Sequence, residues 1–135
     1  MRRRTLSALI FAGSLLPAIP AWAHHSFAAS YDEQKKITIE GDVVAFDYRN
    51  PHAWVTLNVM DSEGKPVLWQ AEWRSPVRLE QEGIAKDTIR PGDHILISGS
   101  PGKTADEHRI HLKSLTRPSD GFKSEMTNGG NFRRR

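Results

Sequence analysis

The chain has 135 residues, no cysteine and six histidines, with 19 basic against 16 acidic side chains. Without cysteine there is no disulfide, thiolate metal site or cysteine nucleophile, and the fold must rest on a hydrophobic core. Six of the basic residues are Arg2 to Arg4 and Arg133 to Arg135; the body between them is slightly acidic, which argues against the basic patch of a nucleic-acid binder.

Residues 1–23 have the order of a cleaved secretory signal peptide. A charged start (Arg2, Arg3, Arg4) precedes an apolar run from Leu6 to Leu16, the helix breakers Pro17 and Pro20, and the small-x-small site Ala21-Trp22-Ala23. The apolar run is shorter than the ~20 residues a bilayer span needs. The expectation is export to the periplasm or beyond, with a mature chain that begins near His24 and holds no membrane span. Residues 24–36 form an N-terminal arm, 37–118 a folded domain, and 119–135, lacking periodicity, a flexible basic tail.

The folded domain reads as short strands. Ile37 to Phe46 is the first, with Ile37, Ile39, Gly41, Val43 and Ala45 on one face; Gly41 marks a bulge or bend. Tyr48 to Pro51 is a turn. His52 to Met60 alternates, with Ala53, Val55, Leu57 and Val59 inward and His52, Trp54, Thr56 and Asn58 outward. A turn at Asp61 to Lys65 leads to Val67–Trp73, where Trp69 and Trp73 share the core phase of Val67 and Ala71. Ser75-Pro76 opens a short helix over 77–82 that Gly83 ends. His94 to Ser98 and Ile110 to Leu115 are the last strands, joined by a polar loop. Three strands, a helix and two strands predict an all-β domain with one short helix, a five-stranded OB-fold-like Greek-key barrel.

Two strings carry a resemblance: AHHSFAASYD, Ala23 to Asp32, and NPHAWV, Asn50 to Val55; RPGDHILISG, Arg90 to Gly99, is a weaker third. With them the chain resembles the small exported bacterial proteins of domain-of-unknown-function family 6152. That resemblance implies export and one small β domain, and no activity.

The histidines supply the sharpest chemistry. Cleavage after Ala23 would give His24 a free α-amine beside its imidazole, a chelating pair, and His25 adds a second ring. His52, at a strand start, is the distal candidate. An all-nitrogen set of this kind suits Cu(II) first and Zn(II) second. The structural alternative has the His-His pair packing Phe27 and Tyr31 onto the barrel and His52 bonding a turn carbonyl. His108 and His111 are three apart at a strand entry and so face opposite sides. His94, after a turn, points to solvent.

The outward Trp54, with Tyr48, Arg49 and Asn50 in the adjoining turn, offers a second binding face, for a protein or an envelope saccharide; its alternative role is to sit under the N-terminal arm. Glu72 and Arg74 read as solvated strand-end charges. No glycine-rich phosphate loop or nucleophile elbow is present. Glu80 and Glu82 face apart on their short helix. The chain is therefore expected to be a non-catalytic exported binding module, with a copper-dependent redox enzyme as the remaining alternative; its oligomeric state is not encoded legibly.

Overall fold

The computed structural model describes residues 27–126 and 132–134. A short helix α1 (Phe27–Ser30) precedes strands β1 (Ile37–Asp47), β2 (Trp54–Met60) and β3 (Pro66–Glu72). Helix α2 (Pro76–Gln81), strand β4 (His94–Pro101), a 3-10 turn (Ala105–Glu107), and strands β5 (Arg109–Arg117), β6 (Phe122–Met126) and β7 (Phe132–Arg134) follow.

Antiparallel pairing runs β3-β2-β1-β4-β5, and a parallel pairing of β3 with β5 closes the ring. The result is the closed five-strand barrel with a helix between its third and fourth strands that the element order predicts. Its interior holds Val55, Leu57, Ala71, Trp73, Ile95, Ile97, Ile110, Leu112 and Leu115, all fully buried. Each large side chain there contributes roughly 1.5–3 kcal/mol over its exposed state. Leu79, Ile84 and Ile89, from α2 and the segment after it, cap this core from one end. Tyr48 holds the cap: its hydroxyl lies 3.0 Å from the Pro76 carbonyl and 2.9 Å from that of Ile84.

Two bulges set which side chains face inward. In β1, Val43 pairs with Leu57 and Ala45 with Thr56, so Val44 is the extra residue. The bend therefore falls after Val43 and not at Gly41, and it turns Phe46 inward in the place expected for Ala45. In β5, Leu112 pairs with Gly99 and Ser114 with Ser98, leaving Lys113 extra. Leu112 and Leu115, three apart, can then both enter the core. Gly41 has a different reason to be glycine: a Cβ there would lie 2.1 Å from the Asn58 carbonyl oxygen. At Gly99 it would lie 1.9 Å from that of His111.

Other expectations change. Trp69 is half-buried, packed at the core margin and edge-on to His108 at 5.3 Å between centroids, because β3 leaves the ring of strands toward its start. The polar loop between the last barrel strands is shorter than expected, since β4 continues to Pro101. Residues 119–135 are not simply a tail. An Arg117–Asp120 ion pair and the turn at Gly121 return the chain into β6, which pairs with β5 and buries Phe122 and Ser124. Its alternation is carried by lysine, serine and glutamate, so hydropathy alone does not expose it. Among the described residues, no helix is long and apolar enough to cross a membrane.

The close approaches make a prediction. Gly41→Ala and Gly99→Ala should each lower stability by about 1–3 kcal/mol, the usual range for forced overpacking, while Gly64→Ala, whose Cβ would meet nothing, should cost only its positive φ. Urea midpoints of the three variants give the comparison.

Candidate functional site

A polar cluster on the barrel surface gathers several of the histidines and carboxylates. Trp54, Glu72 and His111 are neighbours in a row across β2, β3 and β5, since Trp54 pairs with Glu72 and Glu72 with His111. This row exists only because the parallel pairing brings β5 beside β3. The arm, residues 27–36, crosses over it. Its backbone is tied to the end of β4 by Asp32 N–H donating to the Pro101 carbonyl at 2.9 Å and Lys103 N–H donating to that of Ser30 at 3.1 Å. Tyr31 and Gly102 form an isolated β-bridge.

Glu72 is at the centre. Its side chain is buried, contrary to the solvated strand-end charge expected, because the arm covers the outer face of β3. The Tyr31 hydroxyl donates to Oε2 at 2.5 Å and His52 Nδ1 to Oε1 at 2.6 Å, with the Arg109 guanidinium 3.8 Å away. Burial, then the hydrogen bond to Glu72 and its charge, push the Tyr31 hydroxyl well above its ordinary pKa against the pull of Arg109. A carboxylate only accepts, so His52 carries a proton on Nδ1, and the neutral ring then has its lone pair on Nε2.

A second carboxylate–histidine pair stands beside the first. His111 Nδ1 lies 2.7 Å from Glu33 Oε1, and Lys113 Nζ donates to the other Glu33 oxygen at 2.6 Å. His111 is buried, and burial lowers its pKa against the pull of Glu33. For Glu33 the order reverses: burial pushes the carboxyl up, but the bonds from Lys113 and His111 outweigh it and the net pKa is lowered. The Phe27 ring stacks on His111 at 3.6 Å and on His52 at 5.1 Å, joining the two pairs.

These rings form one wall of a groove of about 390 Å³. The rest of its lining is Arg74 and Ser75 in the link from β3 to α2, Arg78 on α2, Lys113, and Met126 on β6. Among the described residues that line it there is no carboxylate, although Glu33 is bonded to two of them, His111 and Lys113.

The other predicted site residues lie around this cluster. Trp54 is half-buried, and the Arg109 guanidinium sits over its ring at 5.3 Å and over Tyr31 at 5.6 Å. One face of the proposed stacking platform is therefore occupied. Tyr48 clasps α2. Arg49 and Asn50 are exposed in the turn that contains the cis Asn50-Pro51 bond. His24 and His25 lie outside the described residues. His94 is exposed as expected, between Asp42 at 2.7 Å and Glu40 at 2.9 Å. His108 and His111 do diverge, His108 toward Trp69 and His111 toward Glu33. Among the described residues, no group of three histidines or carboxylates stands together to hold a metal ion. Sequence reasoning missed Glu33, Glu72 and His111; the acidic pattern of AHHSFAASYDE, ending at Glu33, was the signal that the arm carries partners for basic side chains.

The fold and site define a small closed β barrel with a groove beside an N-terminal arm. A model of the family of unknown function DUF6152 matches residues 14–111, and the chain belongs to that family. Among curated proteins none matches the chain.

Two outcomes test the cluster. Glu72→Ala should cost about 1–3 kcal/mol by leaving the buried Tyr31 hydroxyl without its acceptor. Combined with Tyr31→Phe it should cost less than the sum of the two, as read in a double-mutant cycle of urea unfolding. Acid stability tests Glu33. Its folded pKa lies below the unfolded one, so its contribution is complete above the unfolded value of ~4.3 and is lost as pH falls through the folded value. The stability gap between wild type and Glu33→Gln should be present at about pH 5 and close toward about pH 3.

Proposed function

We propose that the chain is a non-catalytic binding protein exported to the periplasm, which holds a transition metal ion, Cu(II) before Zn(II), at His52 together with the arm histidines His24 and His25. The observation that carries this reading is the Glu72–His52 bond. Metal-ligating histidines characteristically donate one ring N–H to a carboxylate, which fixes the tautomer and directs the other nitrogen at the ion. His52 has this arrangement. Phe27, at 5.1 Å from the His52 ring, follows His25 by two residues and His24 by three. That is about 7 and 11 Å of extended chain, so both are within reach of His52.

The donor set fits the metal. Processing after Ala23 would add the His24 α-amine to the imidazoles, an all-nitrogen set that favours Cu(II). The signal-peptide order of residues 1–23 supports export. The saccharide or protein adaptor reading loses weight because Arg109 occupies one face of Trp54.

Calorimetry and electron paramagnetic resonance of the processed protein with Cu(II) test the reading. One ion should bind per chain with nitrogen hyperfine structure. His24→Ala and an N-terminal extension by one residue should abolish tight binding, and Glu72→Gln should weaken it by about 10–100-fold, the usual effect of removing a carboxylate behind a ligating histidine. If the extended form binds as tightly as the processed one, the amine chelate is wrong.

A further inference from the structure

We propose that Phe27, stacked on His111, is the positioning residue of the metal site: it pins the start of the arm beside His52 and so sets how strongly His24 and His25 join that histidine on the ion. His111 serves as the platform for Phe27 and not as a ligand. This role rests on the metal reading above and adds to it two residues that do not coordinate.

The second carboxylate–histidine pair is what the metal reading leaves without a task. His111 is buried on β5 with its Nδ1 2.7 Å from Glu33 Oε1, and Lys113 holds the other oxygen of that carboxylate at 2.6 Å. A buried ring bonded in this way has a fixed plane. Phe27 lies on that plane, 3.6 Å between centroids and inclined by only 9°. Its second stacking contact, to the His52 ring, is at 5.1 Å and 23°. Phe27 does not belong to the apolar cluster of the barrel. Its ring is held instead by the two histidines, with Tyr31 tilted against it at 6.1 Å.

The place of Phe27 in the chain gives the stack its consequence. His25 and His24 precede it by two and three residues. Without the stack, the next attachment of the arm to the barrel is the Ser30 carbonyl, which accepts from Lys103 N–H at 3.1 Å. The tethers to His25 and His24 would then be five and six residues long. A tethered ligand that already reaches its partner acts at an effective concentration that falls roughly as the −3/2 power of tether length. Going from the shorter tethers to the longer ones therefore lowers the effective concentration at His52 about three- to fourfold. The stack acts by shortening a tether, and it needs no contact with the ion.

Titration of Cu(II) into the processed protein, against a competing chelator of known affinity, tests this role, with electron paramagnetic resonance beside it. Phe27→Ala should weaken binding about three- to fourfold and leave the nitrogen hyperfine pattern unchanged, since no ligand is lost. Three glycines inserted between Ser26 and Phe27 create the same longer tether with the stack intact, and should weaken binding by the same factor. The same insertion in Phe27→Ala should cost only about a further twofold. Phe27→Tyr and His111→Phe keep a stacked pair of rings and should hold wild-type affinity. The insertion changes no packed side chain, so the test stands even where His111→Phe does not fold. The positioning role is overturned if either folded Phe27→Ala or the insertion binds as tightly as the wild type. It is also overturned if folded His111→Phe loses binding and changes the hyperfine pattern, which would make His111 a ligand. Absence of Cu(II) binding by the wild type overturns the metal reading and this role together, whereas wild-type binding that ignores the tether overturns this role alone.

Discussion

The carboxylate of Glu72 ties the arm to the barrel. It accepts from Tyr31 on the arm and from His52 on the turn before β2, and it sits within reach of Arg109 on β5. A buried charge is costly unless each of its oxygens is paired, and here both are. The same group therefore does two things. It fixes the path of residues 27–36 over the sheet, and it fixes the tautomer and direction of the His52 ring. The position of Phe27, and with it the wall of the groove, follows from that path.

Barrel closure makes this pairing available. The parallel contact of β3 with β5 sets Glu72 beside His111, and the bulge at Lys113 lets β5 feed Leu112 and Leu115 inward while His111 and Lys113 both meet Glu33. An open sheet would separate the two histidine–carboxylate pairs, and Phe27 could not stack on both rings. Core and site thus share one geometric cause. The strands that enclose Trp73 and Ile97 are also the ones that align the polar row outside.

The strands were legible because their alternation is strong. Val55 and Leu57 are fully buried, as their phase requires, and the element order predicts the closed ring. The polar row was not legible, for a specific reason. Period-two alternation assigns a residue to a face and says nothing about what covers that face. Glu72 falls on the outer face and reads as solvated; only the arm, a long-range partner, buries it. His111 was set aside because its spacing from His108 rules out a shared site, yet a histidine can act alone with a partner 78 residues away in sequence, as it does with Glu33. Strand β6 was hidden because three of its five residues are lysine, serine and glutamate.

The arm is also thermodynamically separable from the body it crosses. Its attachments are a few backbone bonds to the end of β4, the side-chain bonds of the buried Tyr31 and of Glu33, and the stack of Phe27 on His111 and His52; none of its residues joins the apolar cluster inside the ring. Segments with few apolar contacts open at a lower free energy than the whole domain. Lifting residues 27–36 would uncover His52, Glu72 and His111 together and leave the apolar cluster inside the ring intact. Hydrogen exchange should then divide this protein into two units of unequal protection, the arm opening before the barrel.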